Sequence, residues 1–146
     1  MQFFEKIPSK IDNMPKLIAT LLKKLEVVSF KEDEILDIRL CLEEAIINAI
    51  KHGNRMNPDL FVEVQMNVSD QELCIQIRNE GEGFDFKELP NPTIDKNLTK
   101  PSGRGVFLIK KLMDEVEFFD KGRGIKMVKF LNKEAGNEHK TGKTRR

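Results

Sequence analysis

The chain has 146 residues, of which 39% are hydrophobic and 34% are charged, and this composition suits one compact domain with a single core. Its 25 basic and 24 acidic residues leave a formal net charge of +1, which provides no global field for binding nucleic acid or a membrane surface. No apolar run approaches the ~18 residues of a membrane span, and the first residues lack a signal-peptide core. We therefore expect a cytoplasmic protein with no membrane partner and no direct nucleic-acid partner.

The first two elements are a strand and a helix. Residues 2–7 form a short strand that Pro8 ends, and Asp12 or Asn13 can cap the helix that follows. That helix should run to about residue 25. Its apolar positions recur at helical spacing, at Met14, Leu17, Ile18, Leu21, Leu22 and Leu25.

The longest helical pattern occupies residues 35–50. Its apolar positions recur at intervals of three and four and should pack on a core, at Ile35, Ile38, Leu42, Ala45, Ile46, Ala49 and Ile50. Ser29 and Glu32 predict a capping box at the start, and Gly53 predicts a left-handed residue that ends the helix. Glu44 and Asn48 are four residues apart and therefore share one helical face. Alone, such a pair is more often part of a solvated stripe than of a site.

Two strands follow, and the second ends in a polar residue that should point inward. Residues 60–68 alternate between apolar and polar, and a tight connection leads to a second strand at residues 73–79. In that strand Asn79 shares a face with an apolar row of Leu73, Ile75 and Ile77.

Two glycine clusters flank a long irregular segment. The first is Asn-Glu-Gly-Glu-Gly at residues 79–83, and the second is Gly-Arg-Gly-Val-Phe-Leu-Ile at residues 103–109, which opens a helix to about residue 113. Residues 84–102 contain three prolines and no regular period, and loops of this length are usually functional or mobile, so we predict a lid. Glycines let a backbone approach phosphates and a purine closely, and a helix N-terminus presents N–H groups to an anion.

A final hairpin at residues 115–120 and 125–131 completes a domain of residues 1–134, and we expect residues 135–146 to be a basic, disordered tail. Strands grouped in hairpins with helices collected separately predict an α+β fold. The predicted architecture is a two-layer α/β sandwich, in which a mostly antiparallel mixed sheet carries the helices on one face.

Other motifs are weaker. Cys41 and Cys74 lack the paired spacing of a zinc site or a disulfide framework. Residues 136–144 resemble a phosphate-binding loop but have one residue too many between the glycines. A dinucleotide fingerprint would need a third glycine after Gly105.

The remaining constellation is a carboxylate, an amide, two glycine loops and a lid, and it supports phosphoryl transfer. The amide oxygen of Asn48 is a ligand of the type that Mg²⁺ prefers, and phosphates can supply others. Glu44 lies one helical turn earlier and can orient or deprotonate an attacking hydroxyl. Lys51 and Arg104 can add positive charge near the phosphates.

The same three segments resemble the boxes of the GHKL ATPase superfamily. Residues 44–53, Glu-Ala-x-x-Asn-Ala-x-Lys-His-Gly, resemble its N box, residues 79–84 its first glycine box, and residues 103–109 its second. The resemblance spans residues 3–131 and is greatest to the anti-sigma factor serine/threonine kinases. It implies a Bergerat-type ATP-binding fold with ATP and Mg²⁺ as cofactors. It also implies phosphorylation of a small anti-anti-sigma (STAS-type) antagonist, sequestration of a sigma factor in another state, and a homodimer.

The resemblance also implies a role for each site residue. Glu44 would be the general base and Asn48 the Mg²⁺ ligand. The nucleotide-binding residues would be Asn48, Lys51, His52, Asn79, Gly81, Gly83, Gly103, Arg104, Gly105, Val106 and Phe107. Two positions depart from the family pattern, since Asn79 stands where the family has an adenine-binding Asp, and Lys126 where it often has a supporting Thr. The leading hypothesis is a protein kinase, and the alternative is a degenerate regulatory module that binds nucleotide weakly or not at all.

Overall fold

The computed structural model describes residues 1–81 and 101–131, which form one sheet with three helices packed on it. The strands are β1 (Gln2–Pro8), β2 (Phe61–Val68), β3 (Glu72–Asn79), β4 (Glu115–Phe119) and β5 (Gly124–Phe130). The helices are α1 (Met14–Lys24), α2 (Glu32–Asn48) and α3 (Pro101–Leu112). Residues 84–100 of the predicted lid, Gly83 before it and the predicted tail lie outside the described residues. The boundary between domain and tail stays a prediction.

The five strands lie in the order β1-β2-β3-β5-β4, and each described pair of neighbours is antiparallel. The inner face is buried against α1, α2 and α3 in one core, because alternate residues of each strand project to the same side. The opposite face carries polar residues such as Glu63, Gln76 and Arg78. The predicted α+β sandwich with a mostly antiparallel sheet is therefore confirmed. In the described part of the chain, every helix is too short or too polar to cross a membrane.

Both ends of α2 differ from the prediction. The predicted capping box of Ser29 and Glu32 was wrong, because α2 begins only at Glu32 and the Glu34 carboxylate accepts the N–H of Lys31 at 2.9 Å. At the other end, α2 continues into a π-helical turn, Ala49–Gly53, in which the N–H of Asn54 donates to the Ala49 carbonyl at 2.8 Å.

Gly53 is required for space rather than for a left-handed conformation. Positive φ angles occur just after it, at Arg55 (53°) and Met56 (59°), but not at Gly53 itself. A Cβ at Gly53 would instead collide with the side-chain amide of Asn79. The predicted left-handed stop was therefore wrong, and the glycine serves the contact between the end of α2 and the end of β3.

A buried lysine connects the far ends of the helices. Lys129 lies opposite Leu73 on the inner face of the sheet and is only 3% exposed. Its ammonium donates to the Leu112 carbonyl at the end of α3 at 2.7 Å and lies 3.9 Å from the Asp37 carboxylate on α2. The ammonium thereby satisfies a carbonyl at the helix terminus and ties α3 to α2.

Candidate functional site

Three segments that are distant in sequence meet at one end of the sheet. Asn48 on α2, Asn79 at the end of β3 and Val106 on α3 line one small cavity, and Arg123 and Ile125 line it from the last hairpin. Asn48 is 8% exposed, Asn79 6% and Val106 5%. The helix with the acid-amide pair and the two glycine segments are thus brought together, as the sequence pattern required.

The segments of the site approach one another closely at two glycines. A Cβ at Gly105 would collide with the Glu44 carboxylate and lie 3.4 Å from the Asn48 amide nitrogen. A Cβ at Gly81 would collide with the Gly53 carbonyl oxygen. The clash at Gly81 is with backbone and leaves no room for a side chain, whereas the clash at Gly105 is with the end of a flexible side chain. Each glycine thus lets its backbone reach another part of the site.

Asn79 presents a hydrogen-bond acceptor with no partner. Its amide nitrogen donates to the Arg123 carbonyl at 3.2 Å, and its backbone N–H donates to the same oxygen at 2.9 Å. Because a carbonyl can only accept, this bond fixes the orientation of the amide. The amide oxygen is then buried without a hydrogen-bond partner among the described residues, in a side chain that lines the cavity. A buried acceptor of this kind suits a ligand with an amino group.

The expectation for Lys126 was wrong. Lys126 pairs with Gln76 in the register of β3 and β5 and lies on the outer face of the sheet, away from the cavity. Its neighbour Ile125 pairs with Ile77 on the inner face and lines the cavity. Ile125, not Lys126, is therefore the residue of this strand that faces the cavity, because a shift of one residue along a strand reverses the face.

The histidine kinase-like ATPase domain family matches residues 7–129 of the chain. The chain belongs to this family. It is similar to the serine-protein kinase RsbW of Staphylococcus epidermidis, with 27% identity over 88% of this chain and 86% of that protein. The RsbW proteins of Bacillus licheniformis and Bacillus subtilis are 29% and 28% identical over 88% of this chain, and the match covers 85% of each of them.

A solved structure agrees with the fold of this ATPase-domain chain. The RsbU and RsbW domains of a Mycobacterium tuberculosis protein superpose with a TM-score of 0.58 at 14% identity. The superposition covers 89% of this chain and 32% of that protein, so this chain spans about a third of its length. The expected membership of the histidine-kinase-like superfamily is confirmed, and the similarity to RsbW agrees with the expected branch.

The cavity of this ATPase domain is small. Its volume is about 30 Å³, which is close to the share of one water molecule in the liquid. A purine base needs several times this volume. A purine with its amino group at Asn79 would therefore extend beyond the space that the lining residues enclose.

Among the other residues expected to bind nucleotide, Lys51, His52 and Phe107 are not in the cavity lining. Lys51 and His52 are exposed on the π-helical turn. Partial burial of the imidazole ring, with a further contribution from the charge of Lys51, lowers the pKa of His52. The Phe107 ring is 37% exposed, with the Lys111 ammonium 5.6 Å from its centre. Gly103 and Arg104 lie in the first turn of α3, and the side chain of Arg104, like Gly83, is outside the described part of the structure.

Sequence reasoning missed two residues that shape the site. Arg123 donates through Nε to the Gly81 carbonyl at 2.8 Å and lies 3.5 Å from the Asp120 carboxylate. Asn54 is buried below the first glycine segment. The only sequence signal for Arg123 is its place between Gly122 and Gly124, which the turn of the hairpin already explained.

Proposed function

We propose that this protein is an ATP-dependent serine/threonine protein kinase of the anti-sigma type in a bacterial partner-switching system. Its substrate would be a small STAS-type antagonist protein, and in another state it would sequester a sigma factor. The observation that carries the proposal is the meeting of Glu44 and Asn48 with Gly105 beside the cavity of Asn79. Membership of the ATPase-domain family and similarity to proteins named serine-protein kinases support it.

The side chains of the site fit adenine and Mg²⁺. The unpartnered oxygen of Asn79 would accept a hydrogen bond from the adenine amino group. The described residues contain no group of three or more His, Cys, Asp or Glu side chains that would hold a metal ion. An ion here would thus be held by the amide oxygen of Asn48 together with phosphate oxygens, the kind of shared coordination typical of Mg²⁺.

Glu44 is the group placed to handle the proton. When bound, ATP with Mg²⁺ supplies the phosphoryl group, and the protein has to orient the serine hydroxyl and take its proton. Glu44 is half-buried next to Gly105 and one turn from Asn48, so we assign it as general base. The first turn of α3, with Gly103 and Arg104, would face the phosphates. The kinase would act in the cytoplasm, as a homodimer.

The test pairs two neighbouring carboxylates of α2. Glu44→Gln should bind ATP with Mg²⁺ in isothermal titration, yet transfer phosphate to a STAS-type antagonist about 10²–10⁴-fold more slowly. Glu43→Gln is the matched control, because Glu43 forms a surface ion pair with Arg39 at 3.3 Å and should transfer at the wild-type rate. Wild-type transfer by the Glu44→Gln protein would remove Glu44 from this role.

The small volume of the cavity and the apolar Ile125 in its lining favour a second candidate, a regulatory module with the same fold that binds partners without nucleotide. Titration of the wild-type protein separates the two. Absence of heat at millimolar ATP with Mg²⁺, in a sample that still binds its protein partner, would favour the module over the kinase.

A further inference from the structure

We propose that Asn54 is a positioning residue that holds the first glycine segment of the nucleotide site in place. The role of Asn54 in nucleotide binding rests on the function proposed above, whereas its hydrogen bonds do not depend on that function. Asn54 directly follows the π-helical turn at the end of α2 and is only 1% exposed. A buried polar side chain must find partners for its hydrogen-bonding atoms, and the partners of Asn54 lie on two sides.

The amide oxygen faces the glycine segment. It accepts hydrogen bonds from the backbone N–H of Glu80 at 2.9 Å and of Gly81 at 2.7 Å. The amide nitrogen faces the sheet edge and donates to the Ser9 hydroxyl at 2.6 Å and to the Phe61 carbonyl at 2.9 Å. Both donors and both acceptor positions of the amide are therefore used.

The sheet side provides a firm anchor. Ser9 is fully buried, and its hydroxyl and its backbone N–H both donate to the Leu60 carbonyl, at 2.8 and 3.1 Å. These bonds hold the amide nitrogen of Asn54 at the start of β2, so its oxygen has little freedom to move. A fixed acceptor defines the place of the two N–H groups that it binds.

The glycine segment is held from its other side as well. The Gly81 carbonyl accepts a bond from the Arg123 side chain at 2.8 Å. Asn79, whose oxygen lines the cavity, comes one residue before the two N–H groups that Asn54 binds. A shift at residues 80 and 81 would consequently move Asn79, which links Asn54 to nucleotide affinity without direct contact.

Few substitutions can replace this amide. An aspartate keeps the two acceptor bonds but places an oxygen against the Phe61 carbonyl, and an alanine loses all four bonds. Asn54→Ala thus releases the glycine segment, whereas Asn54→Asp keeps it. Asn13→Ala is the matched control, because its half-buried amide donates to the Pro8 carbonyl at 3.0 Å, at the start of α1.

The experiment combines amide hydrogen exchange, ATP titration and steady-state kinetics on the full chain. In Asn54→Ala, the Glu80 and Gly81 amides should exchange about tenfold or more faster, relative to the Val64 amide in β2, since each loses its acceptor. The ATP dissociation constant and KM should rise about tenfold with kcat nearly unchanged. Asn13→Ala should leave the relative exchange rates of the two amides, the ATP dissociation constant and KM at their wild-type values.

Unchanged protection of Glu80 and Gly81 in Asn54→Ala would overturn the proposal, as would an unchanged KM alongside faster exchange. If that variant does not fold, Asn54→Asp decides, with retained protection of the two amides supporting the proposal and lost protection overturning it. Failure of the wild-type protein to bind ATP would instead refute the proposed function, and the exchange measurement would still test the contacts of Asn54.

Discussion

Gly105→Ala is expected to separate stability from activity. Gly105 is buried in α3 and faces the Glu44 carboxylate, with which an added Cβ would collide. Two opposing contributions act on the free energy of unfolding. Alanine within a helix is favoured over glycine by about 1 kcal/mol, and an added methyl in a packed contact costs about 1–3 kcal/mol.

The collision involves the end of a flexible side chain, which lowers its cost. Glu44 can turn away from residue 105, so the steric cost should fall toward the lower end of its range and nearly cancel the gain in helix propensity. We therefore expect the free energy of unfolding to change by less than about 1 kcal/mol. The displaced carboxylate would no longer face the site, and phosphate transfer should fall about 10²-fold or more.

A double-mutant cycle measures the contact directly. Urea unfolding of the wild type, Gly105→Ala, Glu44→Ala and the double variant yields the coupling energy between the two positions. Without the Glu44 carboxylate, Gly105→Ala should stabilise the protein by about 1 kcal/mol, because only the propensity term remains. A coupling energy near zero would show that residue 105 and Glu44 do not meet. Full transfer activity in Gly105→Ala would contradict the positioning of the carboxylate.

Three further outcomes are expected. Lys129→Met should lower the free energy of unfolding by about 1–3 kcal/mol, since it leaves the Leu112 carbonyl without its ammonium donor, and urea unfolding measures the loss. Asn79→Asp should lower the free energy of unfolding by a similar amount, because a carboxylate oxygen would face the Arg123 carbonyl. This destabilisation should shrink below about pH 5, where a protonated carboxyl group can donate a hydrogen bond to that carbonyl. Burial raises the pKa of the Cys41 thiol from 9.0 to about 12. Alkylation at pH 8, followed by mass spectrometry, should therefore modify Cys41 only when the protein unfolds. The free energy of unfolding should fall as pH rises from 9 toward 12, because the thiol ionises more readily in the unfolded chain.

Hydrophobic periodicity accounts for the parts of the fold that the sequence alone could specify. The three-and-four spacing along α2 and the alternation along β2 and β3 are local patterns, and burial of one face follows from each without knowledge of its partner. Asn79 was placed inward for the same reason, and it is 6% exposed. The glycine segments and the acid-amide pair were recognisable because their residue types and spacing reflect the chemistry of phosphates.

Contacts between distant segments were beyond the reach of the sequence, because no local pattern encodes them. The pairing of β3 with β5 decided that Ile125, not Lys126, lines the cavity. The packing of β3 against the end of α2 decided that Gly53 provides space for Asn79. The partner of the Asn79 amide is a backbone carbonyl of Arg123, 44 residues away, and any residue type can supply a carbonyl. The buried face of each helix and strand therefore follows from the pattern of apolar and polar residues along the chain. The hydrogen bonds and close approaches that complete the site depend instead on which backbone atoms folding brings together.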